Sequence, residues 1–348
     1  MQNENSLSKY QKAPNIGLKP FGDTSYLNAV LQCLINIKDL ANFFLNNATQ
    51  FYLYKNTKDI PLSFVIGRLF YRLYPYPEKD ENKPYGNEKI LCILAKYNAS
   101  YKTKNKRNIN ELINFLLTTI HEELNVKKNN NIKHLNFDEF NKNEVIDNEV
   151  KNFNDTNDSI ISKLFTYFVM KENDCSLCNK TKFDLYNFNT FDLDILGCSK
   201  ENNNKIISIN DCLNNISIPK TKNFFCKNCG KKTEINQIPR IYKAPNIFIF
   251  LLDRGNFEPE YIKIQFKLEQ NINININQSE NKFELIGIAS FCLEKNKYVA
   301  FSQSPIDNQW YFYNDEKVNL IEFDSVLKYN NNEELYIPCI LFYQLNRN

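Results

Sequence analysis

The chain has 348 residues, 43% of them hydrophobic and 24% charged, with 43 Lys and Arg against 40 Asp and Glu for a formal charge of +3. That is ample material for a packed core and excludes a disordered chain, while the interspersed signs leave no basic stripe to neutralise phosphates, so no nucleic-acid partner is expected. Asparagine runs at 129–131, 202–204 and 330–332 read as polar loop filler.

Residues 1–14 are polar, lack the apolar run of a secretory leader, and are expected to form a disordered tail. The Gly22-Asp23-Thr24 turn precedes Leu27, Val30, Leu31 and Leu34 at three- and four-residue spacing, which predicts a helix with Ser25 at its N-terminus. Residues 76–85 read as a loop. Asn110 to Leu124 is an amphipathic helix carrying His121, and residues 127–158, rich in Asn, Lys and acidic side chains, are expected to be a flexible insertion that includes His134. These are the only two histidines. One is expected at a half-buried or surface position and the other in the insertion, so neither is placed as a general base.

Two cysteine pairs follow, Cys175-Ser176-Leu177-Cys178 and Cys226-Lys227-Asn228-Cys229-Gly230. Four thiolates in paired knuckles suit a closed, structural tetrahedral zinc; the alternative is a set of free thiols. Ile247 to Leu252 is a six-residue apolar run that reads as a buried strand and is far too short to cross a bilayer, so no membrane partner is expected and the compartment is cytoplasm or nucleus. Alternation over Ile262 to Leu268 and at Ile272, Ile274 and Ile276 predicts half-buried strands. Helical patterns dominate before residue 125 and period-two patterns after 180, which favours an α+β fold.

The Gly17 to Leu34 segment closely resembles the nucleophile box of the ubiquitin-specific proteases, papain-like cysteine peptidases that act as ubiquitin carboxyl-terminal hydrolases. The resemblance spans about residues 15–345. Asn110 to Leu124, Ser159 to Phe165, Asp211-Cys212-Leu213 and Ala244 to Arg254 fall in the family's order, with the two knuckles where the family carries them at the tip of its fingers. It implies a thumb over 15–165, fingers over 166–245 and a palm over 246–346. It also implies a deubiquitinase whose partner is ubiquitin or a ubiquitin-like protein.

The same resemblance marks what has changed. Ser25 stands at the nucleophile cysteine and Lys297, in Asn296-Lys297-Tyr298, at the base histidine. Pro20 replaces the asparagine whose amide helps hold the oxyanion. In Trp310-Tyr311-Phe312-Tyr313-Asn314-Asp315, Asn314 matches the third triad position and Asp315 the acidic residue beside it. A nucleophile needs a base within reach, and proline cannot donate a hydrogen bond. Three readings follow: a catalytically silent domain that binds ubiquitin or another protein; an active hydrolase, in which Ser25 replaces a native Cys or works with Lys297; and a scaffold subunit of a larger complex with no ubiquitin affinity. Tyr26, Tyr298 and Trp310 are expected to brace the core rather than touch a ligand.

Overall fold

In the computed structural model, which describes residues 7, 15–47, 60–74, 83–102, 107–127, 141–202, 206–254, 264–277, 279–331 and 336–346, the apolar run Ile247 to Leu252 is a strand buried on both faces. Ile247, Ile249 and Leu251 enter one hydrophobic core, and Phe248, Phe250 and Leu252 enter a second. A strand between two cores has no solvent face, so its sequence shows no alternation.

The elements run β1 (Leu18–Lys19), α1 (Ser25–Ile35), α2 (Lys38–Asn46), α3 (Leu62–Leu73), β2 (Tyr85–Gly86), α4 (Glu88–Tyr97), α5 (Ile109–Leu124), α6 (Lys142–Thr156) and α7 (Ile160–Phe165). Then come β3 (Tyr167–Cys175), β4 (Thr181–Phe188), β5 (Phe191–Leu193), α8 (Ile195–Asn202), β6 (Ile206–Ile207), α9 (Ile209–Ile216), β7 (Lys220–Cys226), β8 (Lys231–Lys243) and β9 (Ile247–Leu252). The last part holds β10 (Gln265–Phe266), β11 (Asn271–Ile276), β12 (Ser279–Cys292), β13 (Lys297–Gln303), β14 (Trp310–Asn314), β15 (Lys317–Ile321), α10 (Phe323–Asn331) and β16 (Tyr336–Leu345).

A large sheet in the order β15-β14-β13-β12-β16-β9-β5, with β11 on β12, is antiparallel except for β5 beside β9. The helices α1 to α5 share a core with one of its faces, with α1 lying on β13 and β12 and α5 against β16. Tyr298 and Ala300 point into that helical core while Val299 and Phe301 point into the other. A separate four-stranded antiparallel sheet, β4-β3-β8-β7, carries both cysteine pairs at one end. This α+β arrangement of helical thumb, large palm sheet and finger sheet is the fold the sequence implied. β5 lies within the residues assigned to the fingers, 166–245, yet pairs into the palm sheet.

Two stretches take local structures that their composition did not announce. Residues 142–156, expected within a flexible insertion, form α6: the Asn141 side chain accepts the Glu144 N–H at its start, and Val145 and Ile146 are buried. Two apolar anchors and a cap sufficed where average composition read as loop. Of the alternating stretch 262–268, the described residues 264–268 hold only β10, paired parallel to β6; Ile264 and Leu268 are buried outside any ladder. Residues 128–140 with His134, residues 75–82, and all of the N-terminal tail 1–14 except Leu7 lie outside the described residues. Among the described residues no helix is long and apolar enough to cross a membrane.

Candidate functional site

Helix α1 carries Ser25 because its approach is fixed at several points. Thr24 Oγ1 accepts the Phe21 N–H at 2.9 Å and its carbonyl accepts the first helical N–H groups, from Leu27 and Asn28. All eleven residues of α1 are buried, so the helix cannot slide against the sheet. Upstream, β1 pairs in parallel with β2, and the Leu18 N–H donates to the carbonyl of Asp315 in the β14–β15 turn. Gly17 permits that contact: a Cβ there would lie 2.2 Å from the Glu316 carbonyl oxygen. Gly17→Val should therefore lower stability by about 1–3 kcal/mol, the usual penalty of forcing an atom into filled space. A denaturant midpoint unchanged by that substitution would mean that the turn moves freely.

The structure brings Ser25, Lys297 and Asp315 to one place. Ser25 is 7% exposed, and its Oγ accepts the backbone N–H of Tyr298 at 3.0 Å. Lys297 Nζ donates to Asp315 Oδ2 at 3.1 Å, and Asp315 Oδ1 accepts from Asn28 Nδ2 at 2.8 Å. Asn28 is itself held, donating to the Leu18 carbonyl and accepting from Asn87 Nδ2. Lys297 thus engages Asp315 and not Asn314, whose side-chain oxygen is buried with no partner among the described residues. Neither Ser25 nor Asn314 bonds Lys297. Pro20 is exposed on the approach to the turn. Asp315 holds a positive φ of 52°, uncommon for a residue with a side chain, and its carboxylate is pinned on both oxygens.

The relay from Asn87 through Asn28 and Asp315 to Lys297 escaped sequence reasoning. Its members lie far apart in the chain and carry no motif of their own, apart from the positions matched by resemblance. Tyr26, Tyr298 and Trp310 are 1%, 4% and 6% exposed and pack into the cores, Trp310 against Phe323 at 5.1 Å. Burial pushes the Tyr26 hydroxyl up to about 12. His121 is half-buried, its two ring nitrogens bonded to Ser159 Oγ and Asn157 Oδ1, where it ties α5 to the start of α7. Cys33, about two turns along α1 from Ser25, is 2% exposed and its thiol is pushed up by burial, so it is no substitute thiolate.

At the far end of the finger sheet, Cys175, Cys178, Cys226 and Cys229 bring their sulfurs within 4.8 Å of one another. Cys175 and Cys229 Sγ are 4.0 Å apart, and Cys178 and Cys226 Sγ are 3.7 Å apart. A tetrahedron with metal–sulfur bonds of about 2.3 Å has edges of about 3.8 Å, so the donor set fits a four-thiolate metal site. The two knuckles share a geometry. Asn179 N–H returns to the Cys175 carbonyl and Gly230 N–H to the Cys226 carbonyl, and both residues take positive φ, 53° and 64°. Glycine makes the second turn unstrained. Cys178 is held down to about 6, chiefly by the Lys180 backbone N–H and next by the Asn228 side chain, whereas desolvation and the Cys226 thiol beside it push Cys229 up to about 11.

The family model described as ubiquitin carboxyl-terminal hydrolase matches residues 16–343. A protein named ubiquitin carboxyl-terminal hydrolase 4 from Saccharomyces cerevisiae is 22% identical over 345 residues, covering 87% of this chain and 37% of that protein. One of the same name from Arabidopsis thaliana is 23% identical and covers 92% of this chain and 89% of its own length. The chain spans only about a third of the fungal relatives it matches, 30% of the one from Eremothecium gossypii. Among solved structures, the SAGA DUB module Ubp8/Sgf11/Sus1/Sgf73 bound to ubiquitin aldehyde matches at a TM-score of 0.69 and 18% identity, over 97% of this chain and 71% of that one. A second structure of that module, bound to monoubiquitin, has the same TM-score and identity and covers all of this chain.

Proposed function

Because the chain belongs to the ubiquitin carboxyl-terminal hydrolase family, we propose that it is a ubiquitin-specific protease domain turned into a binding module: catalytically silent, zinc-bearing, and holding ubiquitin or a ubiquitin-like protein. The single observation that carries this reading is the Lys297–Asp315 ion pair beside Ser25. Acyl transfer by a hydroxyl needs a proton acceptor within reach of it. Here the neighbouring side chain is a lysine already donating to a carboxylate, and both oxygens of that carboxylate are occupied. Pro20 withholds the amide that would steady an oxyanion, a loss worth about 10²–10³ in turnover where it has been measured in another protease.

The rest of the fold is kept in good order, which supports retention for recognition. The SAGA DUB module, one chain of which shares this fold, is bound to monoubiquitin, and the family takes its name from ubiquitin's carboxyl terminus. The four cysteines would hold zinc and tie the tips of β3 and β7 together, a structural role for a closed site with no open position. All ten cysteines are free, in keeping with a reducing cytoplasm or nucleus. A larger assembly is a natural setting, as it is for Ubp8 in its module.

Fluorogenic ubiquitin, ubiquitin esters and diubiquitins should remain uncleaved above background, and a ubiquitin electrophile should not label position 25. Turnover that Ser25→Ala abolishes would replace this reading with a Ser25–Lys297 hydrolase.

A further inference from the structure

A hydroxyl and an ammonium now stand where the family's reaction uses a thiolate and an imidazole, and we propose that this turns the end of the cleft into a receptor for a free carboxylate. The chain would then select unanchored ubiquitin, ending in its own C-terminal carboxylate, over ubiquitin joined to another protein through an amide. The inference rests on the ubiquitin-binding reading given above.

The Lys297 side chain is 29% exposed whereas its partner Asp315 is 9% exposed. An ammonium has three N–H donors, and one of them goes to Asp315 Oδ2 at 3.1 Å. The other carboxylate oxygen faces inward to Asn28 Nδ2, which the Leu18 carbonyl and Asn87 hold in place. Asp315 therefore anchors the lysine and leaves two donors toward the open side. Such a cation is already positioned, so less side-chain freedom is lost when an anion arrives.

Ser25 adds a further donor. Its oxygen accepts the Tyr298 N–H, and Asp315, which holds the Lys297 ammonium, is bonded by Asn28 one turn further along α1, so hydroxyl and ammonium lie at the same end of that helix. The free O–H hydrogen of Ser25 needs an acceptor, and a carboxylate supplies it. A carboxylate brings two charged acceptor oxygens to these donors; an amide brings one neutral oxygen. No bond is made or broken. The former cleavage site becomes a contact that is stronger for the product of deubiquitination than for its substrate.

The test is calorimetric titration of the zinc-loaded protein with two ubiquitins, one with its native C-terminal carboxylate and one with that carboxylate converted to an amide. The carboxylate form should bind about tenfold more tightly, the usual advantage of a hydrogen bond to a charged partner over a neutral one. Lys297→Gln should erase the difference by weakening only the carboxylate form, and Lys297→Arg should keep it, with metal content and melting checked for both. Equal affinity for the two ubiquitins, or a preference that survives in Lys297→Gln, would overturn the inference while leaving ubiquitin binding intact. No binding of either ubiquitin would instead sink the ubiquitin reading, and the inference with it.

Discussion

Replacing Cys226 with serine should abolish zinc binding at the proposed four-cysteine site and loosen the tip of the finger sheet with it. The four sulfurs already stand at 3.7–4.0 Å across the two measured pairs, and the knuckles sit where β3 and β7 end. Toward the knuckles the finger sheet has little else to hold it, whereas the base of β3 is anchored by Tyr167, Phe168 and Met170. Strand β7 is exposed along most of its length, and β4 contributes no fully buried residue. Structural zinc in small fingers contributes on the order of 10–16 kcal/mol of apparent binding free energy, comparable with the whole stability of a domain. Zinc should fall from one per chain to near zero, with amide exchange in residues 175–188 and 220–235 rising steeply. The palm sheet and α1, which draw on two separate cores, should keep their protection. The exposed Cys92 replaced by serine is the control and should change nothing. Finger amides equally protected in wild type and Cys226→Ser, both lacking zinc, would contradict the metal assignment.

The second large effect is in catalysis. Ser25→Cys alone should leave ubiquitin hydrolysis at background, because a thiol beside a lysine engaged with Asp315 still lacks an imidazole, and Pro20 still lacks an amide. Adding Lys297→His should bring measurable turnover, since Asp315 and the Tyr298 backbone already hold that corner. Adding Pro20→Asn should raise it by about a further 10²–10³. The contributions are not independent, so the order of repair matters: without the base, the oxyanion amide alone should restore nothing detectable. Substantial turnover in the single Ser25→Cys variant would mean that the cleft retains a base the present assignment omits. A folded triple variant that stays inert would place the loss outside these three positions.

Much of the architecture was legible because its signals are local. The apolar spacing of Leu27, Val30, Leu31 and Leu34 gives α1, and unbroken Ile247 to Leu252 gives a strand buried on both faces. The two Cys-x-x-Cys pairs give the thiolate cluster, since each knuckle places its own ligands and the pairing of β3, β8 and β7 brings the halves together. What was not legible depends on contacts between distant segments. Nothing in the sequence says that Lys297 turns to Asp315 rather than Asn314; the choice is made by Asn28 and Asn87, which arrive from two other elements. Gly17 carries no signal of its own in the sequence, yet it is needed because the Glu316 carbonyl lies against it. Helix α6 was hidden by asparagine-rich, charged composition, its burial resting on Val145 and Ile146 alone. β5 left the fingers for the palm through a single parallel pairing with β9, which no periodicity announces.

The central claim, that this protease fold is kept for holding ubiquitin rather than cutting it, is tested most directly by calorimetry of the intact, zinc-loaded chain with ubiquitin and with ubiquitin lacking its last residues. A micromolar affinity corresponds to about 8 kcal/mol, within reach of an interface of ordinary size without any covalent step. The account predicts one-to-one binding of intact ubiquitin in that range, none of the truncated form, and ubiquitin recovered unchanged. No heat with intact ubiquitin, from protein shown to be folded and metal-loaded, would contradict it and leave a scaffold that has lost ubiquitin altogether.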